Sequence, residues 1–183
     1  YKMPTHIFKI GVKVLTFLEA IELVKQRIDE TDADEQIINI IKNGLNRAYF
    51  EIKTKIIPDI DTYDIEVENG VGDLPYNYYQ MESMPFKLKI KERIVGNKIF
   101  LNSDGVFPIS YITTPNLLED DSDDLIIPYS LAYACTTYAC YSYYLHRKKD
   151  SLSRAYLSDY QYDIMAYLDN GQDEVVFDYY EGE

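Results

Sequence analysis

The spacing of apolar residues changes twice along this chain, and that limits the folds open to it. Thr16 and Glu19 form a capping box, after which Phe17, Ile21, Val24 and Ile28 recur every three or four residues. One amphipathic helix is predicted over 16–30. Asp32 and Glu35 repeat the capping pattern. Ile37, Ile38, Ile41, Leu45, Ala48 and Ile52 continue as a longer stripe until Pro58, predicting a second helix over 33–56. Two such helices joined by a few residues are expected to form an antiparallel hairpin.

The period then becomes two. Tyr63, Ile65 and Val67 alternate with acids, and Asn69-Gly70 supplies a turn. Residues 71–85, with Gly72, Pro75, Pro85 and several tyrosines, read as a loop. Leu88 and Ile90 alternate with Lys87, Lys89 and Lys91, a strand with one basic face. Val95-Gly96-Asn97-Lys98 is a two-residue hairpin turn of the type that takes glycine first. Ile99 and Leu101 return from it, and Ile109, Tyr111 and Thr113 alternate again. A small antiparallel β insert is predicted over 62–113.

The helical period resumes at Pro128, a residue suited to a helix start. Leu131, Cys135, Tyr138, Ser142 and Leu145 mark a third helix over 128–147, and Ala132, Ala134 and Ala139 narrow its other faces. His146-Arg147-Lys148-Lys149 places positive charge at its C-terminal end. Asp150 is the expected cap of a fourth helix over 151–168. Leu152, Tyr156, Tyr160, Ile164 and Tyr167 lie on one side, and Asn170-Gly171 stops it. The fold class is α+β: a four-helix body, two helices on each side of an inserted antiparallel β element, with an extended C-terminal tail.

Charge excludes some functions. The net charge is −13, which disfavours a protein that grips phosphate backbones. It is unevenly placed: residues 1–13 carry three lysines and no acid, and residues 169–183 six acids and no base. Residues 1–15 and 169–183 are thus an arm and a tail flanking one domain, 16–168. The tail has an apolar-aromatic centre, Val175, Val176 and Phe177, followed by Tyr179 and Tyr180. No apolar run approaches the roughly 18–20 residues needed to cross a bilayer.

Little in the sequence supports catalysis. Only His6 and His146 are present, neither in the context of a nucleophilic triad. No glycine-rich loop opens a helix. Cys135 and Cys140 are five residues apart on one helix, face different sides and cannot bridge. The single cation candidate is Glu119, Asp120, Asp121, Asp123 and Asp124, five carboxylates in six residues. The run lacks the later glycine and glutamate of a calcium loop. Its alternative role is at the N-terminus of the third helix, whose positive dipole end favours acids. Tyrosine is the unusual count: 19 in all with no tryptophan, twelve of them from Tyr129 onward. On several faces of one helix, tyrosines imply contacts on several faces, in a core or at a subunit interface.

LTFLEAIELVKQRI, then Ala48-Tyr49-Phe50-Glu51, then a strand insert, then ISYITTPNLLEDDSDDLIIPYSLAYACTTYACYSYY form a recognisable succession. Over about residues 15–168 it resembles the head-to-tail connector, or neck adaptor, proteins of tailed bacteriophages. In these a strand ends in a Tyr-x-x-x-Pro-like step. An Asp-rich loop, Leu-x-x-Pro and an alanine- and aromatic-rich helix follow. The resemblance implies a non-enzymatic virion protein without cofactors, assembled in the host cytoplasm and located in the capsid-tail neck. Copies, typically twelve, would form a ring under the portal, with the tail or next neck ring below. The genome would pass through the lumen without specific binding.

On this reading Tyr133, Tyr141, Tyr144, Arg147, Lys148, Lys149, Asp120 and Asp121 are candidate subunit-interface residues. Val175, Val176, Phe177, Tyr179 and Tyr180 are candidates for docking on the portal or a neighbouring copy. Two alternatives stand beside it. One is a lower neck ring, a tail-completion or stopper protein. The other is a calcium-binding or enzymatic module using Asp120, Asp121, Asp123 and Asp124.

Overall fold

Thr16 sets the start of the first helix. Its side chain accepts from the Glu19 amide at 3.2 Å, and the Glu19 carboxylate accepts from the Thr16 amide at 2.9 Å, the reciprocal box expected from the sequence. In the computed structural model, which describes residues 14–83 and 93–170, a short strand β1 (Leu15–Thr16) runs into α1 (Phe17–Ile28). Phe17, Ile21, Val24 and Ile28 are all buried, as their spacing requires. The second helix, α2 (Glu35–Glu51), starts later than expected. Asp34, rather than Asp32, accepts from the Ile37 amide at 2.9 Å. Both acids suit an N-cap, but only this start brings the Asp34 oxygen to a free amide of the first turn. A π turn, Ile52–Ile56, completes the helical run before Pro58.

The insert contains β2 (Ile60–Glu68), β3 (Val71–Asp73), β4 (Tyr78–Ser83), β5 (Arg93–Val95), β6 (Lys98–Phe100) and β7 (Gly105–Thr113). They form one antiparallel sheet in the order β4-β7-β2-β3-β6-β5. Asn69 and Gly70 both have positive φ, 51° and 74°, the geometry that matches strand twist in a two-residue hairpin. At the other hairpin only Gly96 is positive, at 62°, so glycine comes first as its position predicts. Residues 71–85 are not simply a loop. Val71 returns from the Asn69-Gly70 turn as β3, and Met81 of β4 pairs opposite Tyr111. Ile65, Val67, Ile99, Ile109 and Tyr111 bury one face with Leu74 and Leu101. Tyr63 shares the alternation, yet it is exposed.

The chain returns through β8 (Asp124–Leu125), which pairs antiparallel with β1, into α3 (Tyr129–His146) and α4 (Asp150–Asp169). Pro128 precedes the first helical residue, and its carbonyl accepts the Ala132 amide at 2.9 Å. From Leu131 to Cys140 only Tyr133 escapes burial, so α3 is the central helix, enclosed on nearly every face. Fully burying one large apolar side chain such as Leu131 contributes about 1.5–3 kcal/mol.

Several details depart from expectation. Asp150 is the first residue of α4 rather than its cap; Lys149 occupies the cap position, with no side-chain bond. Leu145 and Leu152 share the predicted stripes but are exposed, because both lie at the corner where α3 ends and α4 begins. α3 packs against both α4 and α1, and Lys42 of α2 lies 5.4 Å from the Phe17 ring at the start of α1. α2 crosses α3 at Gly44, where a Cβ would stand 2.9 Å from the Ala139 Cα.

The fold is therefore α+β, four helices with a small antiparallel sheet. Within the span read as one domain, the chain packs as two compact units. One is drawn from Tyr1–Tyr49 and Leu118–Glu183, the other from Phe50–Leu117. The N-terminal lysines, the Lys87-Lys89-Lys91 stripe and the tail residues Val175, Val176, Phe177, Tyr179 and Tyr180 lie outside the described residues. Among the described residues no helix is long and apolar enough to cross a membrane.

Candidate functional site

The acidic loop is built against the wrong helix for its sequence position. Glu119 to Asp124 precede α3, but they cap α1. The Phe17 amide donates to the Asp123 carbonyl at 2.7 Å and the Leu18 amide to the Asp121 carbonyl at 3.0 Å. These are amides with no partner inside the helix. The Asp123 carboxylate turns back on its own loop and accepts from the Glu119 and Asp120 amides at 2.7 and 2.9 Å. Those two bonds hold its pKa below the usual carboxylate range. Asp121 pairs with Lys42 of α2 at 3.2 Å, and Asn46 of α2 both donates to and accepts from the Leu118 backbone. One loop thereby ties α1 to α2. The expectation that these acids serve the dipole of α3 is corrected: the strand pairing of β1 with β8 brings α1, not α3, to the loop.

As a cation site the loop is poorly disposed, because Asp123 is committed to amides and Asp121 to a lysine. Among the described residues no three His, Cys, Asp or Glu side chains converge where they could hold a metal ion. Cys135 and Cys140 are free and buried. Burial pushes both thiols up, Cys140 to about 11, so neither supplies a thiolate near neutral pH.

The tyrosines named as interface candidates find partners within the chain. Tyr144 stacks on Tyr156 of α4 at 5.4 Å, and Tyr141 meets Tyr138 edge-on at 5.2 Å. Tyr133 is 41% exposed and carries the Arg27 guanidinium 4.8 Å above its ring. Arg147 lies over Tyr143 and pairs with Glu30 at 3.5 Å. Lys148 and Lys149 are exposed at the corner between α3 and α4, where the amide of each bonds back to a carbonyl of the last turn of α3. Asp120 is exposed beside Asp121.

Two features carried no warning in the sequence. Arg27 of α1 donates to the hydroxyls of Thr136 and Thr137 at 2.8 and 3.0 Å and lies between the rings of Tyr133 and Tyr156. Tyr156 donates to the Arg27 carbonyl at 3.3 Å. One guanidinium thus joins α1, α3 and α4. Beside it, burial raises the pKa of Asp163, whose carboxylate accepts from Thr137. The second feature is on α4. Tyr160 is buried and Ile164 and Tyr167 are half-buried, yet Tyr162, Met165 and Leu168 on the outward side are 72%, 61% and 55% exposed. The last three turns of α4 carry apolar side chains on both faces, and among the described residues only one of the two is covered.

No family model matches the chain, and no curated protein matches it in sequence.

Proposed function

We propose that this chain is a ring-forming adaptor in the neck of a tailed bacteriophage, joining portal to tail and passing the genome through its lumen. The observation that carries the reading is the outward face of α4. Three large apolar side chains within one helical arc are set in an acidic chain, on a face left exposed among the described residues. Surfaces of this kind mark association sites. A single chain contacting its neighbours through two different faces closes into a ring when the rotation permits. The succession of two helices, antiparallel insert, acidic loop, proline and central tyrosine-rich helix supports the assignment to the neck adaptors. The net charge of −13 suits a channel wall along which DNA slides without adhering.

The test is sedimentation velocity of the full chain beside a Tyr162→Ser/Met165→Ser/Leu168→Ser variant. The native chain is expected to sediment as a discrete oligomer. The variant is expected to keep its helical circular dichroism and sediment as smaller species. A native chain that is monomeric at every concentration, alone and with portal rings of the same virus, would overturn the proposal.

A further inference from the structure

Positive charge is scarce in this chain, and among the described residues most of it is already engaged. Of the twelve lysines and arginines among the described residues, six lie in ion pairs. Arg27 and Arg47 lie over tyrosine rings. Three of the remaining four, Lys148, Lys149 and Arg154, stand together, exposed, at the α3–α4 corner and along the first turn and a half of α4. No carboxylate among the described residues engages them. Lys148 has φ of 55°, a left-handed conformation that glycine or asparagine would adopt more readily. Lysine occupies it here.

The acidic loop has the opposite surplus. Asp121 is held by Lys42 and Asp123 by its own loop amides. Glu119, Asp120 and Asp124 are exposed and paired with no described cation. The two surpluses lie at the two ends of α1. The loop receives the first amides of that helix. Just beyond its last residue, Glu30 contacts Arg147, next to Lys148. Twelve helical residues span about 18 Å, far beyond the roughly 4 Å of an ion pair. Within one chain these charges are too far apart to meet. Between copies they can, and two different faces meeting repeatedly is the arrangement that closes rings.

We infer that the Glu119/Asp120/Asp124 end of one copy docks on the Lys148/Lys149/Arg154 corner of the next, a head-to-tail contact between copies of this chain. The inference rests on the ring reading above and specifies the polar part of its interface. Opposed charge sets register and partner choice in such a contact more than raw affinity, and it makes the assembly sensitive to salt.

Two charge-reversed full chains test it, K148E/K149E/R154E and E119K/D120K/D124K, followed by mass photometry at low and high salt. Each variant alone is expected to associate about tenfold or more weakly than the native chain. An equimolar mixture is expected to recover assembly, because each reversed end then faces an opposite charge. A neutral variant, K148Q/K149Q/R154Q, is expected to show an intermediate loss and a shallower salt dependence. If both reversed variants assemble as the native chain does, the contact lies elsewhere and the ring reading survives. If the lysines act only on the C-terminal dipole of α3, stability will shift without change in association, which also overturns the contact. A folded mixture that fails to recover does the same. A native chain that never associates overturns contact and ring together.

Discussion

Replacing Arg27 with alanine should loosen the helical unit at its most connected point. The substitution removes two hydrogen bonds to Thr136 and Thr137, at 2.8 and 3.0 Å, and the cation lying over Tyr133 and Tyr156 at 4.8 and 5.4 Å. A hydrogen bond to a charged group contributes about 1.5–3 kcal/mol, and each partly exposed cation–π contact about 0.5–1 kcal/mol. These contributions do not add in full, because Thr136 still donates to the Tyr133 carbonyl at 2.7 Å. A loss of about 2–3 kcal/mol is expected. At about 2–4 °C per kcal/mol for a chain of this size, the midpoint should fall by roughly 5–10 °C. Helical circular dichroism during urea and thermal unfolding reads it, since the helices of the Arg27 unit dominate that signal. Arg27→Lys should fall between, because one ammonium keeps the charge but cannot fork to two hydroxyls. An Arg27→Ala variant within about 0.5 kcal/mol of the native chain, the range of ordinary surface changes, would refute the tether.

Other perturbations follow from the same geometry. Gly44→Ala should destabilise by about 1 kcal/mol in urea titration: overpacking against the Ala139 backbone costs about 1–3 kcal/mol, while helix propensity returns about 1. A stabilised variant would show that α2 and α3 do not cross there. Asp163→Asn should raise the urea midpoint at neutral pH. Burial raises the folded pKa of Asp163, so the ionised form weakens the fold above that pKa. The penalty disappears as pH falls through the raised pKa toward the unfolded value of about 3.9. The advantage of the variant should therefore vanish in acid, and a variant less stable than the native chain at pH 7 would contradict the assignment. Asp123→Ala should increase amide hydrogen exchange at Glu119 and Asp120 and at the first turn of α1. Unchanged exchange would mean the carboxylate does not order the loop. Calcium should leave that exchange unaltered, since Asp121 and Asp123 are already held.

What was legible in the sequence was local. The Thr16–Glu19 box, the Asn69-Gly70 and Gly96-Asn97 turns and the stripe from Phe17 to Ile28 each depend on residues a few positions apart. Periodicity placed Leu145 and Leu152 on the right stripes but could not say where the buried length of each helix ends. The choice of Asp34 over Asp32 was ambiguous, because two acids two residues apart satisfy the same pattern. What stayed hidden joins distant segments. Arg27 reads as a solvent-facing charge until Thr136 and Thr137 arrive from over a hundred positions away. The acidic loop reads as the preface to α3 because its true client, the start of α1, is equally remote. The outward face of α4 does not stand out in the sequence, because the inward stripe by itself accounts for the helical period.

Electron microscopy of the purified full chain, alone and with portal rings of the same virus, bears most directly on the adaptor reading. The account predicts closed rings of one rotational symmetry with an open lumen, seated coaxially on the portal. Particles no larger than one chain, with portal rings left bare, would contradict it.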